Sequence, residues 1–146
     1  MIVTNEDQLR VPCEEVSLDE SEEIINKLDS ELELSYMRGK PGIGLAGPQI
    51  GIHKRVAIIR VVGKNGKRFD INLVNAKIIN KYNLQTFDKE GCLSFPGKFI
   101  KSKRYQEVHV QNMVEPKSFV ATGLLAVCIQ HELDHLDGIL LPDIEI

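Results

Sequence analysis

Across residues 24–37 apolar side chains return every three or four positions: Ile25, Leu28, Leu32 and Tyr36, with Ile24 and Met37 flanking them. That period predicts an amphipathic helix. Ser17-Leu18-Asp19-Glu20 reads as a capping box at its start, and acidic residues through Glu23 suit a helix N-terminus. Gly39-Lys40-Pro41-Gly42 ends it near Arg38, and residues 1–16 ahead of it read as an extended lead-in. The period then shortens. Residues 55–62, RVAIIRVV, are β-branched and apolar, hence a strand. Gly63-Lys64-Asn65-Gly66 is a hairpin-type turn. Residues 69–74 return as a strand, and residues 76–82 are expected to pair with it. Residues 108–114 and 118–120 finish the sheet, with Lys101-Ser102-Lys103-Arg104 ahead of them as a solvated turn. Leu124, Leu125, Val127, Cys128, Ile129, Leu133 and Leu136 then make a segment apolar on several sides, as a helix buried in a core would be. Thr122 is its expected N-cap and Gly138 its expected stop.

Composition narrows the classes. At 146 residues the chain reads as one domain, 1–146, able to bury about 70% of its unfolded surface. A formal net charge of −3 makes no electrostatic case for nucleic acid or an anionic membrane. No apolar run approaches the ~18 residues of a membrane span, and the first ten residues lack the basic flank and apolar core of a secretion signal. Three cysteines, widely spaced, argue against a disulfide framework and for a reducing compartment. A cytoplasmic protein is expected.

Within the last helix, His131-Glu132-Leu133-Asp134-His135 is an instance of H-E-x-x-H. Residues four apart share a helix face, so both imidazoles point at one spot. Two neutral imidazoles make half of a tetrahedral site for a divalent transition metal. Glu132, one residue along, can reach water there without ligating, where a general base belongs. A buried helix whose histidines only hydrogen-bond is the plain alternative, and the third ligand decides. The metzincin extension asks for a histidine six residues after the second, a position held here by Leu141. A thermolysin-like layout asks for a downstream glutamate, yet Glu145 lies on a tail after Pro142. The third ligand is therefore expected upstream, from Cys13, Cys92, Cys128, His53, His109 or a carboxylate.

Two further stretches carry candidate chemistry. Gly42-Ile43-Gly44-Leu45-Ala46-Gly47-Pro48-Gln49 is glycine-rich, which permits close backbone approaches. A tight turn between helix and strand explains the glycines equally well, and the spacing is not that of a dinucleotide loop. Gln49 is the one polar side chain in it able to donate to a substrate oxygen. Glu90-Gly91-Cys92-Leu93-Ser94-Phe95-Pro96 places a cysteine between a glycine and a proline-ended turn, from where a thiolate can meet two imidazoles. Lone cysteines are usually small buried apolar residues, so Cys92 gains weight only from the missing ligand. Cys128, three residues before His131, is expected to pack beside the site, and Cys13 to stay away from it.

Taken in order, GIGLAGPQ, EGCLSFP and QHELDHLDG resemble the three signature motifs of the peptide deformylases. The resemblance implies an α+β fold, with antiparallel sheets packed around a central metal-binding helix and an N-terminal helix. The element order above agrees. It also implies a hydrolase that removes the formyl group from N-formylmethionyl peptides and nascent proteins, releasing formate. By position, Cys92, His131 and His135 match the metal ligands and Glu132 the general acid and base. Gln49 and the backbone N–H of Leu93 match the donors to the formyl oxygen, and Gly44 a backbone contact to substrate. Ile43, Leu124, Val127 and Cys128 match positions lining the methionine pocket. One divalent ion is implied, characteristically Fe2+, while Zn2+, Ni2+ and Co2+ also suit the ligand set.

Two departures from the family pattern stand out. Gly47 replaces a customary alanine, which is expected to loosen the loop without removing chemistry. The chain also stops short of the C-terminal helix that many bacterial members use for ribosome docking, so any ribosome contact is expected to be transient. A monomer acting on a peptide substrate in a bacterial, organellar or phage-infected cytoplasm is expected, with no nucleic-acid or membrane partner. The rivals are a metallopeptidase of the H-E-x-x-H type and a structural metal module, which would close the fourth position with a protein ligand.

Overall fold

Helix formation starts at Ser17, whose hydroxyl accepts from the backbone N–H of Glu20 at 3.3 Å, an N-cap bond that satisfies one orphan donor. The computed structural model describes residues 1–62, 65–66 and 68–146. In it the long helix, α2, spans Leu18–Met37 and buries Ser21, Ile24, Leu28, Leu32 and Ser35. The buried stripe is thus rotated from the expected one: Tyr36 and Met37 are 71% and 73% exposed. Ser21 and Ser35 take the core-facing places at the ends because their hydroxyls bond backbone carbonyls, Leu18 O at 2.6 Å and Lys40 O at 2.7 Å. Gly39, at φ +75, turns the chain out of the helix.

The lead-in is not wholly extended. Glu6–Leu9 forms a short helix, α1, capped by the Asn5 side chain and burying Leu9. One turn is too short to show a period, which is why the lead-in reads as extended.

The first sheet contains β1 (Gly44–Ala46), β2 (Val56–Val62) and β3 (Arg68–Val74), antiparallel in that order. The expected turn at 63–66 lies partly outside the described residues. The stretch after β3 does not pair back with it. Asn75 adopts φ 48, held by bonds from Val16 N (3.0 Å) and to Val16 O (2.8 Å), and this bend carries the chain into a second sheet. There β4 (Lys77–Cys92) and β5 (Phe95–Gln111) form a long hairpin, followed by β6 (Ser118–Thr122). The Lys101–Arg104 segment is strand rather than solvated turn. Ile100, Ser102, Arg104, Val108 and Val110 face inward and are buried, while Lys101 and Lys103 face out, the two-residue period of a half-buried strand.

Helix α3 (Gly123–Leu136) lies between the sheets. Its Ala126, Cys128, Ile129, Leu133 and Leu136 join Ala46, Ala57 and Ile59 of the first sheet and Val108, Val110 and Ala121 of the second in one apolar cluster. Each large aliphatic side chain fully buried there stabilises by about 1.5–3 kcal/mol. A second cluster sets Ile24, Leu28 and Leu32 of α2 against Leu45, Val56, Ile58 and Val74. Thr122 occupies the N-cap of α3 without a side-chain capping bond, because it is also the last residue of β6. Gly138, at φ +76, follows the helix, and a β-carbon there would collide with the Arg10 carbonyl. A short helix, α4 (Leu141–Ile144), comes last. No helix among the described residues is long and apolar enough to cross a membrane.

Candidate metal centre

One turn of α3 separates His131 from His135, and their rings meet edge to face with centroids 4.8 Å apart. The two Nε2 atoms lie 3.2 Å from each other. Cys92, the last residue of β4, enters from the second sheet through an irregularity in the β4–β5 ladder between Gly91 and Cys92. Its Sγ is 3.2 Å from His135 Nε2. The three donor atoms lie within 4.8 Å of one another.

Donors around a tetrahedral cation sit about 3.4–3.6 Å apart, given metal–N of ~2.1 Å and metal–S of ~2.3 Å. One sulfur and two imidazole nitrogens, two of their separations at 3.2 Å and all within 4.8 Å, fit a divalent transition metal. The protonation pattern fits too. His131 Nδ1 is 2.7 Å from Glu90 Oε2, so that nitrogen donates, and Nε2 is the one whose proton a cation would displace. His135 Nδ1 is buried with no hydrogen-bond partner among the described residues.

The other upstream candidates are elsewhere. The His53 ring contacts Gln8 O at 2.8 Å on the surface, and His109 pairs with Glu107 at 2.9 Å on the outer face of the second sheet. Cys13 sits at the far end of α3, its N–H on Leu136 O. Cys128 lines the same cavity as the centre, but its sulfur is not in the donor cluster. Burial, then the charge of Glu132, pushes its thiol up to about 12, so it serves as a neutral, apolar wall.

Behind the cluster is a charged network that sequence reading missed. Glu90 accepts from Arg104 Nε at 2.8 Å and Nη2 at 2.5 Å, and from Ser102 Oγ at 2.7 Å. Arg104 Nη1 reaches Asp134 at 2.6 Å. Burial opposes the Glu90 charge, yet the bonds from Arg104 and His131 outweigh it and hold the carboxyl down at about 2. Burial likewise opposes charge on His131, but the Cys92 and Glu90 side chains lift its pKa well above the usual value. His135 moves well below it, through burial and the neighbouring charge of His131. A carboxylate on the outer nitrogen of a ligand histidine fixes tautomer and ring orientation. The signal was available in the alternation of Ile100, Ser102 and Arg104, which marks the arginine as inward-facing.

Glu132 occupies the opposite wall. Burial, only partly offset by His131, pushes its carboxyl up to about 7, and Oε1 is buried without a partner among the described residues. Its other oxygen fills the place a β-carbon would take at Gly44, where the Ile58 carbonyl also stands 3.1 Å away. Glycine is required there by close approach. Gln49, in the short 3-10 turn Gly47–Ile50, is fixed by Ala46 N donating to its Oε1 at 3.0 Å. Its Nε2 then donates to Ser94 Oγ at 3.1 Å and towards Cys92 Sγ at 3.4 Å. Gly47 is not a loosened alanine position. A β-carbon there would come 2.5 Å from Ile52 O and 2.9 Å from Lys54 O, so this loop packs too tightly for one.

A cavity of about 630 Å³ opens over these groups, and Ile43, Gly44, Leu93, Leu124, Val127 and Cys128 contribute to its wall. Val127 and Cys128 lie deep, whereas Ile43 and Leu124 are 44% and 50% exposed at the mouth.

Comparison with known proteins places the arrangement in context. The polypeptide deformylase family profile matches residues 1–144. A peptide deformylase of Microchaete diplosiphon is 40% identical over 128 residues, 82% of this chain and 68% of that protein. Over the first three curated relatives the match covers 62–68% of their own length, so the chain spans about two-thirds of them. The crystal structure of a probable peptide deformylase from Synechococcus phage S-SSM7 superimposes with a TM-score of 0.85 at 33% identity, covering 99% of this chain and 98% of that one. A class I type b peptide deformylase from Acinetobacter baumannii, solved with Met-Ala-Ser bound, superimposes with a TM-score of 0.80 at 27% identity, covering 98% and 96%.

Proposed function

The chain belongs to the polypeptide deformylase family, metal-dependent hydrolases, and on that premise we propose that it removes the formyl group from N-formylmethionyl peptides and nascent proteins. The observation that carries this reading is the convergence of the Cys92, His131 and His135 donors at the floor of a cavity that Cys92, His131 and Glu132 line, with Glu132 Oε1 buried and without a partner among the described residues. Cys92 Sγ and the two Nε2 atoms would hold one divalent ion. When bound, it supplies Lewis acidity and makes water a nucleophile near neutral pH.

The remaining work falls to the chain itself. The apolar wall of Ile43, Leu124, Val127 and Cys128 takes an unbranched methionine side chain, which fits irregular space flexibly. The Gly44 backbone, unshielded by a side chain, aligns the peptide. Gln49 Nε2 and the Leu93 N–H donate to the formyl oxygen as negative charge develops on it. Glu132 takes a proton from water as the oxygen attacks the formyl carbon, then delivers it to the departing nitrogen. The C–N bond breaks, and formate and a free α-amine result. The Met-Ala-Ser held by the Acinetobacter relative has the form of such a product.

Ferrous iron is the proposed native metal, with Zn2+, Ni2+ or Co2+ able to replace it. A thiolate with two imidazoles suits all four, and the family habit favours iron. Protein purified anaerobically with iron should release formate from formyl-Met-Ala-Ser far faster than from a formyl-Asp analogue, leaving internal peptide bonds intact. Endopeptidase fragments in a mass spectrum of the products would replace this reading with a metallopeptidase.

A further inference from the structure

The cavity extends past the methionine-lining residues into a part the proposed chemistry does not use. Its wall there is formed by Phe87, Phe95 and Phe99, and its rim carries Lys40, Lys89 and Lys98. Phe99 is 67% exposed but its ring is seated on Gly91, where a β-carbon would lie 2.8 Å and 3.0 Å from ring carbons. The lysines come from three places, after α2, on β4 and on β5, and all are exposed. The carboxylates among the described cavity-lining residues are Glu90 and Glu132, both buried. Glu90 is already neutralised by Arg104. The lining of the mouth thus carries more exposed positive than negative side chains, on a chain whose formal net charge is −3.

The molecule itself brings an acidic group to this rim. Lys98 Nζ stands 4.0 Å from Glu145, which is carried on extended backbone: Glu145 bridges Ser102, and Ile146 N donates to Lys101 O at 3.0 Å. The rim thus accommodates a carboxylate presented by an extended peptide.

We propose that Lys40, Lys89 and Lys98 make the cleft select formylated peptides with acidic side chains in the second and third positions after the first methionine, whose stems pack on the phenylalanine wall. This rests on the deformylase reading and names its substrate class. Single exposed ion pairs contribute little, but Lys40 and Lys89, with Lys98 exchanging the exposed Glu145 for a substrate carboxylate, focus their field on an incoming peptide across an apolar cleft. The groups bind substrate and transition state alike, so the preference belongs in KM rather than kcat.

The test measures formate release by the metal-loaded enzyme from formyl-Met-Ala-Glu-Glu, formyl-Met-Ala-Ser-Ser and formyl-Met-Ala-Lys-Lys. The acidic peptide should exceed the neutral one by about five- to tenfold in kcat/KM, mostly through KM, with the lysine peptide lowest. Near 1 M salt, where screening acts over about 3 Å, the three should converge. The double variant Lys89→Glu/Lys98→Glu should invert the order of the acidic and lysine peptides, whereas Lys77→Glu, on β4 outside the cavity, should keep it. Equal kcat/KM for all three, or an order unmoved by the double reversal, overturns the assignment and leaves deformylation standing. Absence of formate from every peptide removes the deformylase reading and this inference with it.

Discussion

At the scale of single residues, Glu132 and Gly44 form one device. The carboxylate is buried, pushed up to about 7, and kept beside the cavity because Gly44 has no side chain to displace it. Glu132→Gln keeps the volume and removes the base, so kcat should fall by about 10²–10⁴ while metal content per chain stays at the wild-type value. A metal-free Glu132→Gln protein would make this residue a ligand and its assigned role wrong. Gly44→Ala perturbs the same carboxylate from outside. The added methyl must push Glu132 away, and activity should drop roughly tenfold or more, as a displacement near 1 Å can cost about 10²-fold. Full activity in Gly44→Ala, with metal bound, would show that the carboxylate has room to spare and is not held by this contact.

At the scale of elements, the β4–β5 hairpin is tied to α3 by polar groups. Gln130 donates to Tyr105 O at 2.8 Å and accepts from Tyr105 N at 2.9 Å, and Arg104 joins Glu90 of β4 to Asp134 of α3. Removing one member of a buried ion pair costs about 3–5 kcal/mol, because the other is left uncompensated, whereas replacing both by apolar groups can be nearly neutral. Glu90→Ala should therefore lower the urea midpoint strongly, and Glu90→Ala/Arg104→Met, which leaves only the partly exposed Asp134 without its cation, should recover part of the loss. Equal destabilisation in both variants would mean that the network is not the source. This is also where the sequence was hardest to read. Helix α2 declared itself by period and α3 and β2 by their apolar runs, and H-E-x-x-H lies in a single helix, so its geometry follows from spacing. The network joins residues 14 and 30 positions apart, which no local pattern connects. Lys101 and Lys103 hid the inward face of β5, and the bend at Asn75 sent a strand to a different partner than its neighbour in sequence.

At the scale of the whole molecule, folding itself assembles the donor set. Cys92 and His135 are 43 residues apart along the chain, one at the end of the second sheet's hairpin and the other on the helix between the sheets. A cation bound by Cys92, His131 and His135 cross-links these elements and has no equivalent site in the unfolded chain, so its binding free energy adds to folding. At a free-metal concentration a thousandfold above Kd the gain is about 4 kcal/mol. For a chain of this size each kcal/mol moves Tm by roughly 2–4 °C, so chelation should lower Tm by about 8–16 °C. The same measurement separates the cysteines. Cys13→Ser should keep the chelator-sensitive increment, since Cys13 packs at the far end of α3. Cys92→Ser should lose it and melt at one temperature with or without chelator, at reduced metal content per chain. An undiminished increment in Cys92→Ser would take the thiol out of the centre, and with it the three-ligand site on which the proposed chemistry depends.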